Sequence, residues 1–384
     1  MSTLKVNAIR GTGASSDAIS VNATDGTCTA KITNNLSNRN LIINGAMRIN
    51  QRNSASTTSD SATYYLDRWS TQSAALDQAS IGVSQVTDAP DGFSHSMKFT
   101  VNTPETAIAA DEYASIYQKM EGQDLQQLKY GISGATDVTM SFWVKSSITG
   151  TFSYTVYRSE SAQNRIVNKT YTINSADTWE RKTITIAGDT SNAITDDTSA
   201  RWWNVWHLGA GSDWTSVTSS TWANYSNTNW AGGQATNAVL TTNGATWAIT
   251  GVQLEVGDVA TEFEHRSFGD ELARCQRYYQ KSYEYGTAVG TATSTGAVMH
   301  SLSGSQTYAS PGSVKFPVQM RTTPTMTIYG TTGTAGKITA DSTDANGTAF
   351  GHSETGSMFT RSNDTAGTGA NVFIRCHYTA VAEL

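Results

Sequence analysis

The stretch Ile249-Thr-Gly-Val-Gln-Leu-Glu-Val-Gly257, followed closely by Glu262-Phe-Glu-His-Arg266, decides how the fold of this chain is interpreted. Within it, Val252, Leu254 and Val256 alternate with Gly, Gln and Glu. Because successive side chains of a strand point to opposite faces, this period of two predicts a strand with one buried and one polar face. Gly257 ends the pattern, so we expect the closing strand of a β-domain here.

The period changes after this strand and predicts a short linker helix over residues 267–285. Four residues at helical spacing form its apolar stripe: Leu272, Cys275, Tyr278 and Tyr279. Asp270 is the predicted N-cap. Because a helix this short needs a packing partner, we expect the stripe to form an oligomer interface between three copies of the chain.

Composition and charge exclude several classes of protein. The 384 residues suffice for two or three domains. A net charge of −6, from 26 basic and 32 acidic residues, disfavours a general nucleic-acid binder and adhesion to anionic membranes. No signal sequence and no apolar run of about 20 residues is visible, so we expect neither Sec-type secretion nor membrane insertion. Charged residues make up only 15%, and Ser, Thr, Asn and Gly replace them, as is typical of β-rich proteins.

The chain divides into four parts. Residues 1–40 are polar, with too few large apolar residues for a core, and we interpret them as an extended arm. About nine predicted strands place residues 41–266 in one large all-β domain. Residues 267–285 are the linker helix. Residues 286–384, rich in Gly, Ser and Thr, form a second β-region, in which Asp344-Ala-Asn-Gly347 is a predicted turn.

Short motifs in order along the chain resemble those of bacteriophage tail-fibre structural proteins, particularly of marine phages. They include RNLIINGAMRINQR (39–52), YYLDRWS (64–70), VTMSFWVKSSITGTFSYTVY (138–157), ITGVQLEVG (249–257) and VKFPVQMRTTPTMTIYG (314–330). The resemblance implies a jelly-roll sandwich like a carbohydrate-binding module over 41–266 and a smaller C-terminal β-sandwich tip over 286–384. It also implies a homotrimer in the virion tail, made in the host cytoplasm, which attaches to other tail or virion proteins through residues 1–40.

Aromatic residues give the strongest indication of a binding site. Seven of the ten Trp lie between residues 202 and 247. Indoles stack on the C–H faces of sugars, while nearby Asn, Asp and Ser bind hydroxyls. The candidate ligand-binding residues are Trp214, Trp222, Tyr225 and Trp230. For each of these rings, packing in the core is the alternative interpretation.

Carboxylate pairs raise the question of glycoside hydrolysis. Glu255 could pair with Glu262 or Glu264, and Asp111 lies beside Glu112. Sequence spacing cannot place two carboxyls across a cleft, so we interpret Glu255 and Glu264 as structural, paired with Arg266 or a neighbouring chain. We predict no catalytic residues.

Metal ligands are scarce. The six His and three Cys show no zinc-binding spacing, so no cofactor is predicted. Calcium is the one possible metal, through Asp196, Asp197 and Asp60. The alternative for these residues is solvated loop carboxylates.

These observations predict a non-catalytic tail fibre that binds a glycan or protein on the host surface. A tail adaptor or decoration fibre without host contact is the first alternative, and a polysaccharide depolymerase is the second. A bacterial carbohydrate-binding module is a third, disfavoured by the N-terminal arm.

Overall fold

A computed structural model of the chain describes residues 8–10, 12, 18–21, 24, 28–30, 38–53, 56–57, 63–303, 312–361 and 371–384. Most of the predicted arm, and the predicted calcium ligand Asp60, lie outside the described residues. Within the arm, three short strands form a small antiparallel sheet: β1 (Ala8–Ile9), β2 (Ile19–Val21) and β3 (Cys28–Ala30).

Antiparallel strands build the large body that follows. They are β4 (Ser56–Thr57), β5 (Thr63–Leu66), β6 (Trp69–Ala74), β7 (Ser80–Val86), β8 (Ser96–Thr103), β9 (Tyr113–Glu121), β10 (Val138–Ser146), β11 (Gly150–Arg158), β12 (Arg165–Ile173), β13 (Glu180–Ile186), β14 (Ala200–Ala210), β15 (Ala223–Asn224) and β16 (Thr246–Val256). Its helical pieces are short: α1 (Ser212–Thr215), α2 (Ala238–Thr241) and 3₁₀ turns over Gly122–Leu128 and Asn227–Asn229.

Two of the sheets pack face to face. One has the strand order β13-β10-β16-β8-β7-β4, and the other has the order β15-β12-β11-β14-β9-β6-β5. The chain crosses repeatedly between them, as from β8 to β9 to β10 to β11. The largest apolar cluster lies between the sheets, and it includes the fully buried Trp69, Trp202, Trp206 and Trp247. This arrangement confirms the predicted all-β jelly-roll sandwich.

The closing strand β16 is buried on both faces, so the predicted polar, solvent-facing side is wrong. Glu255 is buried because residues 258–266 fold back over it, and Thr261 donates to its carboxylate through N and Oγ1, both at 2.7 Å. The side-chain oxygen of Gln253 accepts a bond from the Glu264 amide at 2.8 Å. Val256, predicted to be buried, is instead 42% exposed. The polar residues of this strand therefore anchor the segment that follows it.

Gly251 interrupts the alternation because it sits in a β-bulge. The register of β16 against β10 shifts between Ser141 and Trp143, and Gly251 has φ +61°. A Cβ at this position would lie 2.7 Å from the ring of Phe93 and 2.9 Å from that of Trp143. Both the backbone conformation and the space therefore require glycine here.

The linker helix is shorter than predicted. Helix α3 covers Phe268–Gln276, and Tyr279–Lys281 form strand β17, which pairs with a strand about 100 residues later. Its N-cap is Ser267, whose hydroxyl accepts a bond from the Asp270 amide at 3.2 Å, so Asp270 is the third residue of the helix. None of the described helices is long and apolar enough to cross a membrane.

The C-terminal region forms a second set of sheets centred on its last strand. Its strands are β18 (Val298–Ser303), β19 (Gly312–Lys315), β20 (Thr325–Tyr329), β21 (Lys337–Ala340), β22 (Thr343–Ser353), β23 (Gly356–Arg361) and β24 (Asn371–Val381). Strand β24 pairs with β17 and β20 along its second half, and with β18 along its first half. A separate apolar cluster, which includes Met320, Ile338, Phe359, Ile374 and Cys376, fills this region.

The predicted turn at Asp344-Ala-Asn-Gly347 is wrong, because these residues lie inside β22. The turn comes earlier, at Asp341 with φ +53°. Asp344 accepts a bond from the Thr339 hydroxyl at 2.6 Å, and a Cβ on Gly347 would lie 2.5 Å from the Ile338 side chain. Turn-forming residues therefore serve here for cross-strand bonding and close packing.

Charged residues join the jelly roll to the C-terminal region. Arg68, in the turn immediately before β6, is fully buried; it pairs with Glu383 and donates to the Lys119 carbonyl at 2.6 Å. Arg277 makes a two-pronged ion pair with Glu121, at 2.8 and 2.7 Å. Because several of these groups are buried, the two regions share part of their interior.

Candidate ligand-binding cleft

An open cleft of about 310 Å³ lies between β12 of the seven-stranded sheet and the end of β13, the edge strand of the six-stranded sheet. Strand β12 supplies Arg165 and Lys169 to one wall, and the residues after β13 supply the other. The segment 220–222 closes one end with Trp222. A volume of this size is within the ~300–1,000 Å³ typical of small-molecule sites.

A buried ion-pair network fixes the back of the cleft. Arg158 and Asp189 are both buried, and their side chains meet at 2.7 Å. Arg165 reaches the same carboxylate with two bonds, at 3.1 and 3.2 Å, and also donates to Asn224 at 2.8 Å. Two guanidinium groups thus surround one carboxylate, so the polar wall is rigid before any ligand arrives.

The polar rim of the cleft is more accessible. The Lys169 ammonium donates to the Ser220 carbonyl at 2.8 Å in an exposed position. Hydroxyl groups of Thr190, Ser191, Ser220 and Thr221 line the same opening. The rim therefore combines a cation with neutral donors and acceptors.

Trp222 is held in place but remains partly exposed. Its indole N–H donates to the Ala187 carbonyl at 2.7 Å, and its ring meets those of Tyr130 and Trp202 edge-on, each at 5.9 Å. The Arg158 guanidinium lies 5.7 Å from the ring centre. The indole is therefore oriented by its neighbours while part of it faces the cleft.

The other three predicted ligand-binding residues lie elsewhere, in an aromatic cluster on the outer face of the seven-stranded sheet. Trp214 and Tyr225 are partly exposed members of this cluster. Trp230 is buried at its centre, with its ring within 6.4 Å of those of Tyr157 and Trp203. Trp230 is thus packed among other aromatic rings and, at 6% exposed, offers little of its surface to a ligand. The four predicted residues do not form one site.

His207 lies beneath Trp230, and its burial can be tested through the dependence of protein stability on pH. It is fully buried beside Thr155, and burial lowers the pKa of its imidazole to about 3. Since the unfolded pKa is about 6.5, only the unfolded chain takes up this proton between about pH 6.5 and 3. We expect this residue to reduce stability by about 1.4 kcal/mol for each pH unit below about 6.5.

The expected slope is measured by urea unfolding of the protein and of His207→Gln between pH 7 and 4.5. The difference in stability between the two proteins should shift steadily with pH. The exposed His300, replaced in the same way, is the control and should keep the slope of the parent. A slope unchanged by His207→Gln would contradict the assignment.

The residues of the predicted oligomer interface are mostly covered within one chain. Cys275, Tyr278 and Tyr279 are buried, and Leu272 is partly exposed. Arg68 lies 3.5 Å from the ring centre of Tyr278, and Arg52 lies 4.0 Å from that of Tyr279. The jelly roll of the same chain covers this stripe, so the argument that it needs two further copies is wrong.

Glu264 and Glu255, which were weighed as catalytic candidates, are engaged in structural bonds. Glu264 accepts a bond from the Asn40 amide at 2.8 Å and lies 3.5 Å from Arg266, as the structural interpretation predicted. Glu255 lies 3.8 Å from Arg39. Of the predicted calcium ligands, Asp197 is paired with Arg201, which lowers the pKa of this carboxyl, and Asp196 is exposed.

Sequence reasoning found Trp222 but missed Arg165, Lys169 and Asp189. The Trp-rich composition of its segment gave a local signal for the indole. Arg165 and Lys169 lie on β12, whereas Asp189 follows β13, and the three residues meet only because these two strands of different sheets lie side by side. No local pattern marks that meeting.

No protein-family model matches the chain, and no curated protein matches its sequence. Among solved structures, the enzymatically active domain of tailspike protein 4 of bacteriophage CBA120 is 13% identical, with a TM-score of 0.30 over 57% of this chain and 21% of that one. A putative sugar-binding protein of Bacteroides thetaiotaomicron is 13% identical, with a TM-score of 0.31 over 56% and 99%. The family 11 carbohydrate-binding module of Clostridium thermocellum Lic26A-Cel5E is 10% identical, with a TM-score of 0.25 over 54% and 100%.

This chain therefore spans about a fifth of the length of the tailspike chain that it matches.

Proposed function

We propose that this protein is a non-catalytic glycan-binding protein that holds its ligand in the Trp222 cleft. The observation that carries the proposal is a partly exposed indole beside a polar rim in a cleft of about 310 Å³. A sugar ring can stack on Trp222 while its hydroxyls bond to the rim. Lys169 and Arg165 favour a sugar that carries an acidic group.

The biological setting that we propose is a bacteriophage tail fibre that attaches the virion to a glycan on the host surface. The support is the series of tail-fibre-like motifs along the chain, from residues 39–52 to 314–330. We also propose a homotrimer, joined to other tail proteins through residues 1–40. Several weak sites on one particle would then bind together with a higher overall avidity than any single site. Light scattering measures directly whether the mass in solution is three times that of one chain.

Binding is tested by screening the full-length protein against bacterial surface polysaccharides and titrating an acidic oligosaccharide by calorimetry. We expect Trp222→Ala and Lys169→Ala each to weaken binding about tenfold, equivalent to about 1.4 kcal/mol. Trp179→Ala is the matched control, because Trp179 lies next to the opposite end of β13 from the cleft. Circular dichroism melting of each variant checks that the fold survives.

Three other results of these experiments would each replace part of the proposal. Binding that is unchanged in both cleft variants would exclude the cleft. Shortened polysaccharide chains would identify a depolymerase instead. If no glycan binds and the protein joins only other particle proteins, the adaptor alternative replaces adhesion.

A further inference from the structure

Three carboxylates converge at one end of the sandwich, away from the cleft. Asp77 lies in the β6–β7 loop, and Glu105 and Glu112 belong to the connection between β8 and β9. Oxygen atoms of all three lie within 4.8 Å of one another. Two separate loops therefore bring three negative charges to one point.

Two of these carboxylates are buried without a compensating cation. Glu105 is 1% exposed and Glu112 is 3% exposed. One oxygen of Glu105 accepts bonds from the amides of Gln78 and Ala79, at 3.1 and 2.7 Å, but its other oxygen is buried and has no hydrogen-bond partner among the described residues. In the described parts of the chain, none of the three forms an ion pair with Lys, Arg or His.

Without a bound cation, this arrangement of carboxylates destabilises the folded protein. Burial, together with the charges of Glu105, Asp77 and Asp111, raises the pKa of Glu112. A buried charge without a partner is strongly destabilising, so buried carboxylates normally pair with a cation or coordinate a metal.

We propose that Asp77, Glu105 and Glu112 bind a calcium ion. All three offer only oxygen, the ligand that hard cations prefer, and neither His nor Cys belongs to the group. Two oxygens that each lie ~2.4 Å from one ion are at most ~4.8 Å apart, which matches Ca²⁺ coordination distances. Water and backbone carbonyls would complete its six to eight ligands.

The loop that carries Glu112 also supports Trp214, a partly exposed tryptophan. The fluorescence of this indole can therefore report whether an ion is bound. The Glu112 carbonyl accepts a bond from the Gly211 amide at 2.8 Å, and the Asp111 carbonyl accepts one from the Trp214 indole N–H at 2.8 Å. A Cβ on Gly211 would lie 1.9 Å from the Ala109 carbonyl oxygen, so the two loops are closely packed. An ion bound through Glu112 would therefore fix the support of Trp214 and alter its fluorescence.

The test uses the full-length protein after EDTA treatment and dialysis. Added CaCl₂ should raise the melting temperature and change the tryptophan fluorescence, and terbium should show sensitised luminescence that calcium displaces. The double variant Glu105→Gln/Glu112→Gln should lose all three responses. Without calcium it should melt at or above the temperature of the parent, because its buried charges are gone.

Asp196→Asn is the control, since Asp196 is exposed and belongs to the acidic pair that the sequence suggested. It should keep every response to calcium. If Asp196→Asn instead removes the responses, the ion binds at the other loop. A parent protein that shows neither terbium luminescence nor a calcium-dependent melting shift would overturn the proposal.

Discussion

Replacing Glu383 by glutamine is expected to lower the free energy of unfolding by about 3–5 kcal/mol. The carboxylate of Glu383 pairs with Arg68, which is 1% exposed, and with Arg52 at 2.8 Å. Without it, the partners that the Arg68 guanidinium keeps among the described residues are the Lys119 carbonyl and the face of Tyr278. Removing the counter-charge of a buried charge lowers the free energy of unfolding far more than removing one partner of an exposed ion pair does.

Urea unfolding of the purified protein measures this loss. Glu284→Gln is the matched control, because Glu284 is exposed, and we expect it to change stability by less than about 0.5 kcal/mol. Replacing both partners, as in Arg68→Met/Glu383→Leu, should cost less than the sum of the two single changes. Strict additivity would show that the two residues are not coupled.

Replacing Trp206 by alanine should lower stability by a similar amount, about 3–5 kcal/mol. The indole is fully buried between the sheets, with its ring 5.0 Å from that of Tyr154, 5.6 Å from Trp69 and 5.7 Å from Phe142. Its removal leaves a cavity that these large rings cannot close without leaving their own positions.

The control for this change is Trp179→Ala, which removes the same side chain from a partly exposed position. We expect a loss below about 1 kcal/mol there, since little packing is lost. Near-ultraviolet circular dichroism should also weaken much more for Trp206→Ala than for Trp179→Ala. Equal losses in the two variants would mean that the space between the sheets is not the main core.

The jelly roll was predictable because its strands carry local signals. In strands such as Val138–Ser146 and Gly150–Arg158, large apolar side chains recur at every second residue through most of the strand, which indicates β-structure directly. Strand β16 also has this pattern, but its burial on both faces depends on residues 258–266 folding back. That fold-back is a tertiary event, so alternation alone predicted the wrong exposure for Gln253 and Glu255.

The errors in the C-terminal half have the same physical origin. Tyr278 and Tyr279 continue the helical period of α3, yet Tyr279 pairs with Val381 in a sheet. Asp344 and Gly347 are turn-forming residues by local preference, yet they meet Thr339 and Ile338 across a hairpin. In each case a partner that is distant in sequence, or across a strand pair, overrides the local preference.

The sequence predicted residues of the candidate sites only where one residue type is unusually frequent in a segment. Tryptophan marked Trp222, although the same criterion also selected the buried Trp230. The acidic group of Asp77, Glu105 and Glu112 joins two loops, and only Glu112 had attracted attention, as a neighbour of Asp111. The position of a site made from several loops depends on the topology of the fold. The spacing of residues along the sequence does not show that topology.

The burial of Arg68 against Glu383 also constrains how the protein can fold during synthesis. More than 300 residues separate the two partners, and Tyr278, which covers the same guanidinium, lies between them in the sequence. While the ribosome is still making the C-terminal strands, Arg68 lacks the carboxylate of Glu383 that pairs with it in the folded protein. The folding of the jelly roll can therefore reach full stability only after residue 383 has left the exit tunnel, and a chain truncated by premature termination would be a ready substrate for proteases.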